Sequence, residues 1–279
     1  MSKRTRTSQV EKWIKEGRGS GVGSDYKPWL KIQDVSSLGR SPRLKGIKTN
    51  RQHDFLSDLE RNYFYLTEYS DFVFDIREQF PLLPLEETIV IADELGLKHP
   101  TDPKTNDPVV MTTDFLLTVD KGEGLEELAR TIKMKDELLK KRVIEKFEIE
   151  RVYWERRNID WGIVTELEIP KAMAQNISGF HKYHDIQQYD AFQNINQQHI
   201  EDLAIALLQR IISKNQSIRE ITNIFDKDTH MPLGSGMTLF YFLLAQKIIR
   251  VDMLERLDVE QSIVIQSIDE DKLKKVKYG

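Results

Sequence analysis

Three residues in the N-terminal half have the types and the order needed to cut a phosphodiester: Glu60, Asp114 and Lys133. Carboxylates hold hard cations through oxygen. An ammonium beside them positions water or steadies the charge that grows on phosphate. The expected chemistry is therefore metal-assisted hydrolysis, with Glu60 and Asp114 on one or two Mg²⁺ ions (Mn²⁺ as a substitute) and Lys133 at the reacting centre. The plainer readings are a boundary salt bridge for Glu60, a solvent-facing strand position for Asp114 and a surface lysine for Lys133. Nothing local in sequence neutralises Asp114, and a carboxylate in an apolar strand is costly to bury unless it is paired or holds a metal.

The elements that must position these residues follow from periodicity. Phe55, Leu56, Leu59, Tyr63 and Leu66 recur at three- and four-residue steps and predict a helix over 54–69, with Glu60 at the edge of its apolar face. Residues 72–76 and 109–119 read as strands, with a short helix over 84–95 and a Pro- and Asn-broken loop over 101–108 between them. The Gly-rich run 120–124 predicts a hairpin turn. Its partner strand, 125–134, carries Thr131 and Lys133 on one face. A long charged helix over 136–157 has the stripe Leu139, Val143, Phe147 and Trp154. Glu150 occupies a stripe position, where it serves a metal's water shell, orients Lys133 or forms an ion pair at the core edge. A strand at 161–165 completes a mixed sheet flanked by helices, an α/β arrangement with the acids at one end.

Upstream, residues 8–17 predict a short helix. The run 17–24, which contains Arg18, lacks the Gly-Lys-Ser/Thr ending of a phosphate-binding loop and reads as a flexible turn. Tyr26, Trp29 and Leu30 are expected to anchor this arm. Arg40, Arg43, Lys45, Lys48 and Arg51 then form a basic loop, read with Arg18 as DNA-binding. From residue 169 the texture changes. Helices over 199–213, 217–228 and 235–247, followed by strands at 248–253 and 262–267, predict a mostly α, winged-helix-like domain over 169–279, after a catalytic domain with a basic arm over 1–168. The second domain lacks a basic face on its last helix, which favours docking on protein over DNA. His181 and His184 read as surface histidines, since no cysteine or third ligand accompanies them.

Composition sets bounds on these readings. The net charge of −4 conceals an asymmetry: residues 1–50 carry 12 Lys or Arg against 4 Asp or Glu, whereas 51–198 carry 18 against 29. A basic arm beside an acidic centre suits a protein that neutralises phosphate with one part and holds metal with the other. The absence of cysteine excludes disulfides, thiolate catalysis and cysteine–zinc sites. No apolar run reaches the length of a membrane span, and no apolar stretch follows the basic opening as in a secretory leader. The expectation is a protein of a reducing cytoplasm without a membrane partner.

With these residues laid out, the chain resembles the TnsA family, the endonuclease subunits of heteromeric cut-and-paste bacterial transposases. The likeness is strongest in residues 10–166. It rests on Ile14-Lys15-Glu16-Gly17-Arg18-Gly19, Asp25-Tyr26 with Pro28-Trp29-Leu30, Leu56-Ser57-Asp58-Leu59-Glu60, the run from Asp75 to Leu83, Lys98-His99-Pro100, Thr113-Asp114-Phe115-Leu116, and Glu150-Arg151 with Tyr153-Trp154. The resemblance implies a restriction-endonuclease-like domain followed by the winged-helix-like one. It places the metal-binding acids at Glu60 and Asp114, the active-site lysine at Lys133 and a further active-site acid at Glu150. One departure stands out: the position two before the lysine, usually Glu or Gln, is Thr131. Its hydroxyl, with the Ile132 carbonyl, is then expected to complete the metal ligands. The implied function is cutting of the 5′ strands at double-stranded transposon ends, beside a DDE transposase (TnsB) and an ATPase regulator (TnsC) that docks on the C-terminal domain. Two alternatives stay open: a catalytically weak or inactive assembly factor bridging transposase, DNA and regulator, which Thr131 keeps alive, and a stand-alone restriction or repair nuclease.

Overall fold

A computed structural model describes residues 9–35, 42–213 and 215–274. The chain divides into two compact units, Met1–Ile169 and Pro170–Gly279, one residue beyond the boundary expected from sequence. In the first, α1 (Gln9–Lys15) and a small hairpin of β1 (Arg43–Lys45) and β2 (Gln52–Asp54) precede α2 (Asp58–Tyr69). Then follow β3 (Val73–Pro81), α3 (Leu85–Glu94), β4 (Thr112–Asp120), β5 (Leu125–Ile132), α4 (Lys141–Glu155) and β6 (Asp160–Val164). The sheet order is β3-β4-β5-β6, antiparallel except for the parallel β5–β6 pair. A tight turn joins the antiparallel pair β4–β5, a longer excursion through α3 joins β3 to β4, and α4 is the crossover that the parallel pair requires.

The sheet is covered on both faces. Phe115 of β4 packs against Tyr63 of α2 (ring centroids 5.2 Å apart) and Phe55 (6.1 Å). Its neighbour Leu116 lies in the opposite cluster, with Ile91 and Ala92 of α3 and Ile149, Tyr153 and Trp154 of α4. Strict alternation nevertheless breaks once in each of two adjacent strands. On β3, Glu78 reaches His53 and Gln79 reaches Glu60, so both turn to the α2 side. On β4, Asp114 and Phe115 both turn there, while Thr113 and Leu116 face α4. The ladder pairs Glu78 with Phe115 and Phe80 with Thr113, so Gln79 and Asp114 lie opposite one another with no change of register, and the one register shift of this ladder falls between Val73 and Asp75. Gln79 accommodates this with φ 48°, a left-handed conformation rare for a residue with a Cβ.

The outer edge of β3 is not bare. Trp29 N–H donates to Gln79 O (3.2 Å), the Tyr26 hydroxyl to Glu78 O (3.0 Å), and Gly23 N–H to Asp75 Oδ1 (3.2 Å). The glycine run is ordered, contrary to the flexible turn read from sequence. Gly19 has φ 76° and sits so close to Pro81 that a Cβ would lie 2.2 Å from its ring. A buried ion cluster ties the hairpin to the sheet: Glu78, wholly inaccessible, accepts from Arg51 Nη1 (2.7 Å) and from Arg51 Nη2 (2.5 Å), and bonds His53 Nδ1 (2.8 Å). These partners outweigh the cost of burial and hold the Glu78 carboxyl down at about 2.

The expected helix over 136–157 is split. Residues Lys135–Leu139 form a 3₁₀ turn and Leu139 is 86% exposed, so the inward stripe begins later and runs through Ile149, Glu150, Tyr153 and Trp154. The second unit is mostly helical: α5 (Lys171–Phe180), missed in the sequence reading, α6 (Gln197–Ser213), α7 (Ile218–Asp228), α8 (Ser235–Ala245) and a terminal α9 (Glu270–Leu273). Ser217 caps α7 in a reciprocal pair with Glu220. The two expected strands shrink to β7 (Ile249–Arg250) and β8 (Ser267–Ile268), an antiparallel two-residue ladder.

Candidate active site

Glu60 stands at the start of α2, where Ser57 is the N-cap and accepts from Glu60 N–H (3.1 Å). The carboxylate turns back, accepting from Leu56 N–H at Oε2 (3.0 Å) and from the Ser57 hydroxyl at Oε1 (2.8 Å). Capping alone accounts for its place on the helix. It does not account for its burial, at 7% exposure, against a second acid. Asp114 accepts from Ile132 N–H at Oδ2 (2.7 Å) and from Gln79 Nε2 at Oδ1 (3.1 Å). The same Gln79 nitrogen lies 3.4 Å from Glu60 Oε2, so both acids face one point.

Electrostatics follow from this crowding. Burial first, then the charge of Asp114, hold Glu60 well above the ordinary carboxylate range. Burial also raises Asp114, against the opposing pull of Ile132 N–H, the Gln79 amide and the Lys133 ammonium. Two buried acids this close resist ionising together. Lys133 is half-buried just past β5, its N–H held by Val164 O (3.0 Å), with its charge felt at Asp114.

Thr131 and Glu150 lie elsewhere. The Thr131 hydroxyl donates to Glu150 Oε1 (2.5 Å) and accepts from Trp161 Nε1 (3.2 Å). Thr113 donates to the same Glu150 oxygen (2.6 Å), and Trp154 Nε1 donates to Thr113 Oγ1 (2.7 Å). This network occupies the α4 face, across the sheet from Glu60. Thr131, expected as a metal ligand, is not brought to the two acids: its hydroxyl is committed to Glu150, because alternation breaks at Asp114, which turns to the α2 side while Thr131 does not. Burial raises the Glu150 carboxyl to about 7 in spite of both hydroxyls. Ile132 places its N–H, and with it the adjoining carbonyl, on the edge of β5 that meets Asp114.

The donor set fits a small hard cation, namely two carboxylates and a strand-edge carbonyl. Among the described residues no group of three or more His, Cys, Asp or Glu is arranged to hold a metal. Two acidic ligands suffice for Mg²⁺, which keeps several waters.

The basic loop is only partly what its composition suggests. Arg18 and Arg51 are corrected from DNA contacts to internal ties. Arg18 donates to Trp29 O (2.9 Å) and Asp34 Oδ2 (2.5 Å), and Arg51 is buried on Glu78. Arg43 is half exposed beside Asp54, Lys45 is exposed, and Lys48 is half-buried with its N–H on Glu68. Arg40 lies outside the described residues. Sequence reasoning missed Gln79 as a partner of the acids, since a glutamine inside a strand run carries no distinguishing pattern.

Comparison with known proteins agrees with this architecture. The family model described as "TnsA-like endonuclease N terminal" matches residues 70–166, and "TnsA endonuclease C terminal" matches 168–253. The chain is 46% identical over 169 residues to "Transposon Tn7 transposition protein TnsA" of Escherichia coli, a match covering 61% of this chain and 60% of that protein. Two successive family models matching in order, over a mixed sheet followed by a helical unit, place the chain in the TnsA family.

Proposed function

We propose that the chain is a divalent-cation-dependent DNA endonuclease subunit that cuts the 5′ strands at transposon ends. The observation that carries this reading is the convergence of Glu60 and Asp114 on one point, beside Lys133, under a single amide. The family matches and the name of the Escherichia coli relative support transposition as the setting.

In this mechanism Glu60 and Asp114 hold Mg²⁺, or Mn²⁺ in its place, with the Ile132 carbonyl at the same edge. The chemistry such a cation supplies is charge: it polarises the scissile phosphate and acidifies the attacking water. Ile132 N–H fixes the Asp114 carboxylate, and the Ser57 cap fixes Glu60, so neither acid pays for orientation during the reaction. Lys133 orients water and offsets charge at phosphorus. Arg43 and Lys45 offer exposed charge to the DNA backbone.

The reading extends to partners: a TnsB-type DDE transposase for the 3′ ends, and a TnsC-type regulator on the C-terminal unit. Exposed Ile212, Leu233, Leu254 and Val264 on that unit support a protein-docking role. No helix among the described residues is long and apolar enough to cross a membrane.

A second reading, an assembly factor with weak or no cutting, is favoured by one observation, the commitment of Thr131 to Glu150. The decisive assay mixes the chain with its transposase and regulator, end DNA and Mg²⁺, and maps breaks by strand. Breaks confined to 5′ strands, reduced at least about 100-fold in Asp114→Ala, support the endonuclease. Joining at 3′ ends without 5′ breaks supports the assembly factor.

A further inference from the structure

Gln79 is a buried side chain, 2% exposed, in a backbone conformation that would suit glycine. Strain retained at such a position calls for a role for the side chain. Its amide is bonded at both ends. Oε1 accepts from the Thr112 hydroxyl (3.1 Å), and Nε2 donates to Asp114 Oδ1 (3.1 Å) and points at Glu60 Oε2 (3.4 Å). The orientation is dictated by charge: an oxygen facing two carboxylates would be repelled, and a nitrogen facing them is attracted.

A cation between the acids reverses that preference. The NH₂ hydrogens would then point at a positive ion, whereas the amide oxygen is a hard, neutral ligand of the kind Mg²⁺ accepts. The two ends of a carboxamide have nearly the same shape. A half-turn about its last torsion brings Oε1 to the acids and Nε2 to Thr112. The Thr112 hydroxyl can donate or accept, so that bond survives with its direction reversed. The usual strand position does not supply such a ligand to the acids. Thr131, at the motif position that usually supplies a third side chain, is turned to Glu150 on the other face.

We propose that Gln79 is the third side-chain ligand of the cation site, bridging Glu60 and Asp114 with its nitrogen in the metal-free protein and turning its oxygen inward when the ion binds. This rests on the reading of Glu60 and Asp114 as a cation site.

The test uses the full chain without DNA and Mn²⁺ alone as the probe, with binding followed by calorimetry or by the spin resonance of free Mn²⁺. Gln79→Gly removes the amide and relieves the backbone. It should bind Mn²⁺ about 10- to 100-fold more weakly while its metal-free melting temperature holds or rises. Gln79→Glu should bind more tightly and melt lower without metal, since a third carboxylate then faces the two acids. Wild-type Mn²⁺ affinity in Gln79→Gly, with binding lost in Asp114→Ala, overturns the role of Gln79 and leaves the site intact. Unchanged affinity in Asp114→Ala overturns the cation site itself. A parallel loss of affinity and of metal-free stability in both Gln79 variants assigns the residue to the fold and also overturns the proposal.

Discussion

The carboxyls of Glu60, Asp114 and Glu150 are all raised by burial, while that of Glu78 is lowered by Arg51 and His53 despite burial. The consequences for stability have opposite signs. A raised acid binds its proton more tightly when folded, so its contribution is complete below the unfolded value of about 4 and fades as pH climbs through the folded value. Glu78 contributes fully above about 4 and fades as pH falls toward its folded value of about 2. The metal-free protein should therefore melt highest near pH 4 and lose melting temperature from there to about pH 8, most steeply below about pH 6 where all three raised acids hold their protons only when folded. Mg²⁺ binds the deprotonated acids and should flatten that decline; melting curves at several pH values, with Mg²⁺ or with a chelator, measure it. An equal slope with and without the ion would contradict a cation site at these acids. At this scale Asp114 stood out because an uncompensated carboxylate in an apolar strand has few explanations, whereas Glu60, on a helix, read as a boundary ion pair and was singled out only by the family resemblance. Gln79 was not, because its role depends on a left-handed φ that no side-chain pattern records.

At the scale of elements, helix periods carried most of the reading. The turns of α4, α6, α7 and α8 bury apolar residues at three- and four-residue steps, whereas α2 buries Glu60, Phe64 and Glu68 at that spacing and leaves the expected Leu59, Tyr63 and Leu66 half-buried. Two features were illegible for physical reasons. The faces of β3 and β4 exchange at Gln79 and Asp114 without a change of register, so period-two reasoning puts Thr131 beside the acids. The basic loop misled because guanidinium groups pair with buried acids as readily as with phosphate. Arg51 and Lys45 separate these outcomes. Arg51→Ala should cost about 3–5 kcal/mol by stranding Glu78, seen in urea unfolding, with the salt dependence of DNA binding unchanged. Lys45→Ala should leave stability within about 0.5 kcal/mol and lower the salt slope by about 1. If Arg51→Ala instead changes the salt slope at wild-type stability, its assignment to the fold is wrong.

On the scale of the whole molecule, each unit has its own buried core. The second is built on Ile200, Leu203, Leu207, Phe225, Leu239, Phe240 and Leu243. A fragment of residues 170–279 should therefore unfold cooperatively by itself, as circular dichroism against denaturant would show. A non-cooperative, sloping loss of signal would refute an independent core. The first unit depends on its opening segment in another way. Residues 19–29 lie along β3, the boundary strand of the four-stranded sheet, and take up carbonyls and a carboxylate that would otherwise be left open. Trimming the first 30 residues uncovers a nine-residue strand that carries exposed Phe74 near its start and follows exposed Phe72. Such a strand offers itself to other chains. The trimmed protein should self-associate in a concentration-dependent way, visible by light scattering, so the arm doubles as a guard against aggregation.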